Sequence, residues 1–184
     1  MCRKFIPGTK ISYTDGRVGF SYFVPLIRAT DGLTLSQVCT LTGLETSTIQ
    51  NWVKRGFVPH PVNKFYRERH LARILLISAL RDSMQIDRVG ELLHLINGDT
   101  DDESDDIIGE EKLYDIFCSL IAECDENVFD DEKVKVLVEK ATESYNPSDE
   151  TSIHRLRQAL TVMIYAYMSG LFKKKCEAEF LKLL

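Results

Sequence analysis

The stretch Thr34–Tyr66, TLSQVCTLTGLETSTIQNWVKRGFVPHPVNKFY, constrains this chain more than any other. Thr34 and Gln37 make the T-x-x-Q pattern of a capping box, in which two side chains satisfy backbone N–H groups at a helix start. Leu35, Val38 and Cys39 follow at i, i+3 and i+4, the apolar face of a short helix. Gly43 supplies the next turn, because glycine reaches positive φ without steric cost. A second helix is expected from Glu45 or Thr46 to Arg55, with Ile49, Trp52 and Val53 turned inward. Ser47, Gln50, Asn51 and Lys54 fall on its opposite face, toward solvent or a ligand. Gly56 stands just past this helix, where a glycine stops one.

Two short helices joined through a glycine turn form the helix-turn-helix pattern, whose second helix enters the major groove in DNA-binding proteins. Short helical hairpins also occur as plain core, so the pattern alone leaves both readings open. Pro59 and Pro61 exclude a helix over 57–67 and favour extended backbone. Lys64, Arg67 and Arg69 crowd that region, as phosphate contacts or as a solvated loop. Residues 68–83 predict an amphipathic helix with Leu71, Ile74, Leu75 and Leu80 on one side and Arg69, Arg73 and Arg81 elsewhere. Asp87 to Ile96 predict the next, through Val89, Leu92, Leu93 and Ile96. VGFSYFVPLIRA, residues 18–29, is apolar and aromatic, and is expected to pack on the helix-turn-helix or, as the alternative, to form an arm that crosses to a second subunit.

Charge divides the chain. Residues 1–97 hold 13 Lys and Arg against 7 Asp and Glu; residues 98–184 hold 10 against 21. A nucleic-acid footprint needs local positive charge, which only the first part supplies. NGDTDDESDDIIGEE, residues 97–111, is too acidic to form a core and reads as a linker or loop. Asp99, Asp101, Glu103, Asp105 and Glu110 also fall at ligand positions of a calcium loop, but Ser104 stands where that loop needs glycine. An acidic linker is the expectation. Beyond it, helices are expected over 112–126 and 130–145, the second ended by Asn146-Pro147. A last helix, capped by Ser148 or Asp149, runs through Leu156, Leu160, Met163 and Tyr167, with a bend at Gly170 before FKKKCEAEFLKLL.

The five cysteines follow no framework spacing and include no C-x-x-C, which points to a reducing cytoplasm. The first residues, MCRKFIPGTK, lack the apolar core of a secretion signal, and no apolar run reaches membrane-spanning length. No Gly-rich phosphate loop, metal-spaced cluster or nucleophile–base pair is present. The chain is therefore expected to have no catalytic residues, cofactor or metal, and not to be an enzyme.

The run TGLETSTIQNWVKRGFVPHP, then KFY, then HLARILLISALRDSMQIDRVGELL resembles the DNA-binding domain of MerR-type transcriptional regulators. The resemblance is carried by the Thr42-Gly43 turn, Trp52, Gly56 with an apolar residue and Pro59 after it, Tyr66 closing a wing, and a helix pair broken at Asp-Ser. It covers Leu35 to Ile96, and its later part more closely resembles a bacterial family of uncharacterised MerR-like proteins. This chain departs from the pattern in Glu45, where Ser is usual, in Gln50, where many relatives are basic, and in Lys64, where Arg is frequent. MerR regulators pair through one long helix directly after the DNA-binding domain. Here an acidic loop and three or four medium helices are expected instead.

The resulting expectation is a mainly α protein. A MerR-like winged helix-turn-helix domain occupies 1–97, an acidic linker 98–111, and a small helical bundle 112–184. The resemblance implies a DNA-binding transcriptional regulator, with a recognition helix over 46–55 and a basic wing over 57–69. Ser47, Gln50, Asn51 and Lys54 would read bases, since Gln and Asn suit adenine edges and Lys suits guanine. Arg55, Lys64, Arg67 and Arg69 complete the DNA-binding set. Expected partners are double-stranded DNA, a second copy of the chain, and a protein held by the C-terminal helices; no membrane is expected. The alternative is a protein-interaction module that keeps the helix-turn-helix as scaffold.

Overall fold

A computed structural model of the chain describes residues 4–13, 19–124, 130–145 and 150–184. The protein is mainly α. Strands β1 (Lys4–Phe5) and β2 (Ser12–Tyr13) pair antiparallel. The helices are α1 (Val24–Ala29), α2 (Leu35–Thr42), α3 (Thr46–Lys54), α4 (Glu68–Leu80), α5 (Ile86–Asn97), α6 (Glu110–Cys124), α7 (Asp131–Ala141) and α8 (Glu150–Phe180). The expected Asn146-Pro147 stop and the Ser148 or Asp149 cap lie outside the described residues.

Local chemistry sets the first helix pair. The Thr34 N–H donates to Gln37 Oε1 at 2.8 Å, and the Gln37 N–H returns to Thr34 Oγ1 at 3.4 Å, closing the capping box of α2. Gly43 ends α2 in the left-handed region at φ 72°, with its N–H on the Cys39 carbonyl at 2.7 Å. Glu45 caps α3 with no side-chain bond. Ile49 and Trp52 are buried beneath α3, and Gly56 follows at φ 74°.

α4 is the centre of the molecule. It packs against α2, α5, α6 and α8, so it is buried nearly all round. This corrects the amphipathic expectation for Arg73. Its side chain lies in the interior, because α6 covers the flank of α4 that would otherwise face water.

The N-terminal segment spans two neighbours. The Lys10 N–H donates to the Leu41 carbonyl of α2 at 3.0 Å. Phe20, Phe23 and Ile27 are buried, and the Phe20 N–H donates to Asp115 of α6 at 2.5 Å. Tyr114 packs edge-on to Phe20 and donates its hydroxyl to the Pro7 carbonyl at 2.7 Å. The aromatic stretch expected on the helix pair is therefore held by α6, which presents the aromatic and carboxylate partners it needs.

α6 begins at Glu110, and Ile107 and Ile108 already pack on the core. α8 is one helix of 31 residues running through Gly170. Of the three or four medium helices expected after the acidic loop, α6 and α7 are medium, and the last is instead one long helix that continues past Gly170. A Cβ at Gly170 would come within 3.2 Å of Asp82 Cβ, so the glycine permits close packing on the end of α4. The described buried apolar residues, from Ile6 to Ala166, form one continuous cluster. Among the described residues, no helix is long and apolar enough to cross a membrane.

Candidate nucleic-acid interface

α3 stands on Ile49 and Trp52, which anchor it to the core. Its outer face follows from that anchoring. Ser47, Gln50, Asn51 and Lys54 lie on the other side of the turn and are all exposed. Beside this face the chain makes a small hairpin. Val62 and Phe65 exchange backbone hydrogen bonds at 3.1 and 2.9 Å across Asn63 and Lys64. Both central residues are left-handed, at φ 52° and 70°, the type I′ conformation that closes a two-residue hairpin. Lys64 is thereby carried to the tip. The hairpin is tied to the body where Leu33 and Tyr66 exchange N–H and C=O at 2.8 Å each.

The face of α3 and the hairpin enclose a cleft of about 910 Å3. Gln50, Lys54, His60 and Lys64 bring polar groups to it, and Val53 and Phe65 supply apolar walls. The start of α2, at Thr34 and Ser36, closes one end. Three of the eight residues read from the sequence, Gln50, Lys54 and Lys64, therefore meet at one site. Ser47 and Asn51 extend its exposed edge along α3.

The arginines behave differently. Arg55 is paired with Asp87 at 2.5 Å and lies over the Phe57 ring at 4.6 Å. Arg67 is exposed but reaches Asp31 at 3.3 Å. Arg69 is turned inward with a side chain 13% exposed, bonded to Glu103 at 3.2 Å and Asp106 at 3.4 Å. It also donates to the Asp102 carbonyl at 3.2 Å. Lys54 and Lys64 have no ion pair among the described residues.

The acidic loop after α5 draws Arg69 inward, whereas Arg55 and Arg67 are held by Asp87 and Asp31 outside it. Thr100 donates to the Gly56 carbonyl at 2.8 Å, and Asp101 accepts from the His60 N–H at 3.4 Å. The loop thus runs along the base of the hairpin. Burial pushes the Asp106 carboxyl up to about 6, against the pull of Arg69. One turn further along α4, Arg73 pairs with Glu110 at 2.5 Å and donates its Nε–H to the Phe57 carbonyl at 3.1 Å. Hairpin base, α4 and α6 are joined through that one guanidinium.

His70 also has a structural task. Its Nδ1 accepts from the Arg67 N–H at 3.1 Å, so Nε2 carries the proton and donates to the His60 carbonyl at 2.9 Å. Burial lowers its pKa, which keeps the ring neutral against Tyr66. His60 and Asn63 were not singled out in the sequence. The signal for Asn63 was present, since Asn is favoured in left-handed turns. No group of three or more His, Cys, Asp or Glu is placed to hold a metal ion among the described residues.

Comparison with known proteins covers this region. The chain is 29% identical over 85 residues to the "Uncharacterized protein YkrK" of Bacillus subtilis (strain 168), a match over 44% of this chain and 36% of that protein. The match therefore spans little more than a third of the relative's length. No solved structure matches. Residues 30–117, from the end of α1 into α6, match the family model described as Domain of unknown function (DUF1836), so the helix pair, the hairpin and the acidic loop all lie within one family-matched stretch.

Proposed function

We propose that the protein is a DNA-binding transcriptional regulator of winged helix-turn-helix type. In this reading α3 is the recognition helix and the 62–65 hairpin is a short wing, as the MerR resemblance implies. The observation that carries it is the solvent-facing row Ser47, Gln50, Asn51 and Lys54, set beside a hairpin tip that presents Lys64. Gln50 and Asn51 offer the paired donor and acceptor that match an adenine edge. Lys54 suits a guanine edge, and Lys64 at the hairpin tip is free to approach phosphate, which positions the helix without reading sequence. Arg55 and Arg67 can contribute only by exchanging Asp87 and Asp31 for phosphate. Arg69 serves the fold and drops out of the contact set.

The test is binding to a genomic DNA library, followed by a salt series on the enriched sequence. Lys64→Gly removes the charge while accepting the left-handed backbone. It should weaken binding and reduce the slope of log K against log salt by about 0.9, one phosphate contact. Asn51→Ala should relax base preference with the slope unchanged. Wild-type protein that enriches no DNA at low salt would overturn the proposal.

A second reading is favoured by the pairing of three arginines with carboxylates. The helix pair then serves as scaffold for a protein partner seated in the 910 Å3 cleft. Capture insensitive to salt and abolished by Val53→Glu would support it over DNA.

A further inference from the structure

Four segments of the protein meet at a cavity of about 400 Å3 that shares no residue with the cleft of α3. They are the β1–β2 hairpin, the turn between α2 and α3, the end of α4 with Asp82 after it, and α8. Hydrogen bonds hold them in place. The hairpin turn is closed by the Ile6 N–H on the Ile11 carbonyl at 2.9 Å and by the Thr9 hydroxyl on the Ile6 carbonyl at 3.0 Å. It is tied to α2 where the Lys10 N–H meets the Leu41 carbonyl at 3.0 Å. The end of α4 is tied to α8 where Ser83 donates to the Ala166 carbonyl at 2.5 Å. The cavity is thus formed without a ligand, and small-molecule sites usually measure about 300–1,000 Å3.

Charge around this cavity is unbalanced. Lys10, Arg81 and Lys174 line it against one carboxylate, Asp82. Lys174 already occupies that carboxylate, at 2.5 Å. Lys10 and Arg81 have no ion pair among the described residues. The chain does not lack acids, since it holds 28 Asp and Glu against 23 Lys and Arg. The Lys10 stem crosses the α2–α3 turn over Gly43, where a Cβ would fall 1.9 Å from its Cε, so the glycine leaves room for the lysine. Arg81 lies over the Trp52 ring, 5.8 Å from its centroid. Leu44 and Ala79 supply buried apolar wall, while Phe5 and Leu171 remain 50% and 36% exposed. Two unpaired cations beside uncovered apolar side chains match a ligand that carries an anionic group on a hydrocarbon body.

We propose that this cavity binds a small organic anion, a phosphate or carboxylate on an apolar body, held by Lys10 and Arg81. The anionic group satisfies the two cations that the chain leaves unpaired, and the hydrocarbon part covers Phe5 and Leu171. A ligand seated there touches the α2–α3 turn and α8 together, so its binding links the first helix pair to the last helix. Binding at this cavity does not rest on the DNA-binding reading.

The experiment is a titration of the full isotope-labelled chain with phenyl phosphate, without nucleic acid, read by the amide resonances of Gly8, Gly43 and Gly170. All three should move together to saturation, with a dissociation constant on the order of 1 mM. Phenol and inorganic phosphate each carry half of the ligand's chemistry, and each should bind at least tenfold more weakly. Lys10→Ala combined with Arg81→Ala should weaken phenyl phosphate at least tenfold while the spectrum stays folded, since both side chains are exposed. Lys10→Glu combined with Arg81→Glu should reverse the preference. This variant should lose phenyl phosphate and take up benzylammonium at the same glycines, which an unfolded chain could not do. Equal binding of phenol or of inorganic phosphate, a loss below tenfold in the alanine variant, or shifts confined to Gln50, Lys54 and Lys64 would overturn the proposal, whether or not the protein binds DNA.

Discussion

Glu110→Gln is the sharpest probe of how the two ends of the chain are joined. The Glu110 and Arg73 side chains are 1% and 2% exposed, and their contact at 2.5 Å links α6 to α4. Arg73 also holds the Phe57 carbonyl, so its charge cannot swing out to water without breaking the hairpin base. Removing one member of a buried pair leaves the other as an uncompensated charge, at a cost of about 3–5 kcal/mol. Glu110 Oε2 has no hydrogen-bond partner among the described residues, so the pair is incompletely satisfied and the lower end applies. With a urea slope of about 2 kcal/mol per molar, a loss of about 3 kcal/mol lowers the midpoint by roughly 1.5 M. The assay is equilibrium unfolding followed by far-UV dichroism and by Trp52 fluorescence. Both probes should shift together, because one core includes the surroundings of each. Arg73→Met with Glu110→Leu removes both charges and should recover most of the loss. A midpoint within 0.3 M of wild type for Glu110→Gln, beyond ~10–15% extrapolation error, would refute the claim that this pair joins the halves.

Trp52→Ala should destabilise by about 3–5 kcal/mol, because the indole is buried under α3; a native melting curve would place it outside the core. Asp106 has its pKa raised to about 6 in the folded protein, so its contribution to stability is fully present below pH 3.8 and is lost as pH rises through 6. Stability measured from pH 3.5 to 7 should therefore fall less steeply for Asp106→Asn than for wild type, and parallel curves would reject the assignment. Burial pushes the Cys118 thiol up to about 12 and Cys124 is also buried, so at pH 8 a maleimide should label Cys176 quickly and these two only after unfolding. Mass spectrometry of the labelled peptides reads the order.

Much of the local structure was legible before any tertiary contact was known. The capping box at Thr34, the left-handed turns at Gly43 and Gly56, and the division of α3 into Ile49–Trp52 and Gln50–Asn51–Lys54 faces depend on residues within one or two turns of each other. Such features are decided by backbone sterics and short-range hydrogen bonds. The fate of the arginines was not legible. Nothing near Arg73 in the chain announces Glu110, and nothing near Arg69 announces Glu103 and Asp106; each partner lies more than thirty residues away. For that reason one cationic run separated into an exposed lysine pair, two surface ion pairs and two arginines drawn inward. The length of α8 was obscured in the same way. Glycine lowers helix propensity by about 1 kcal/mol, yet α8 continues through Gly170, where the close approach of Asp82 suits a residue without a Cβ. Sequence alone determined the first helix pair and the polar face of α3; tertiary packing decided which charges remain available, because burial and long-range pairing act between segments that the chain order keeps apart.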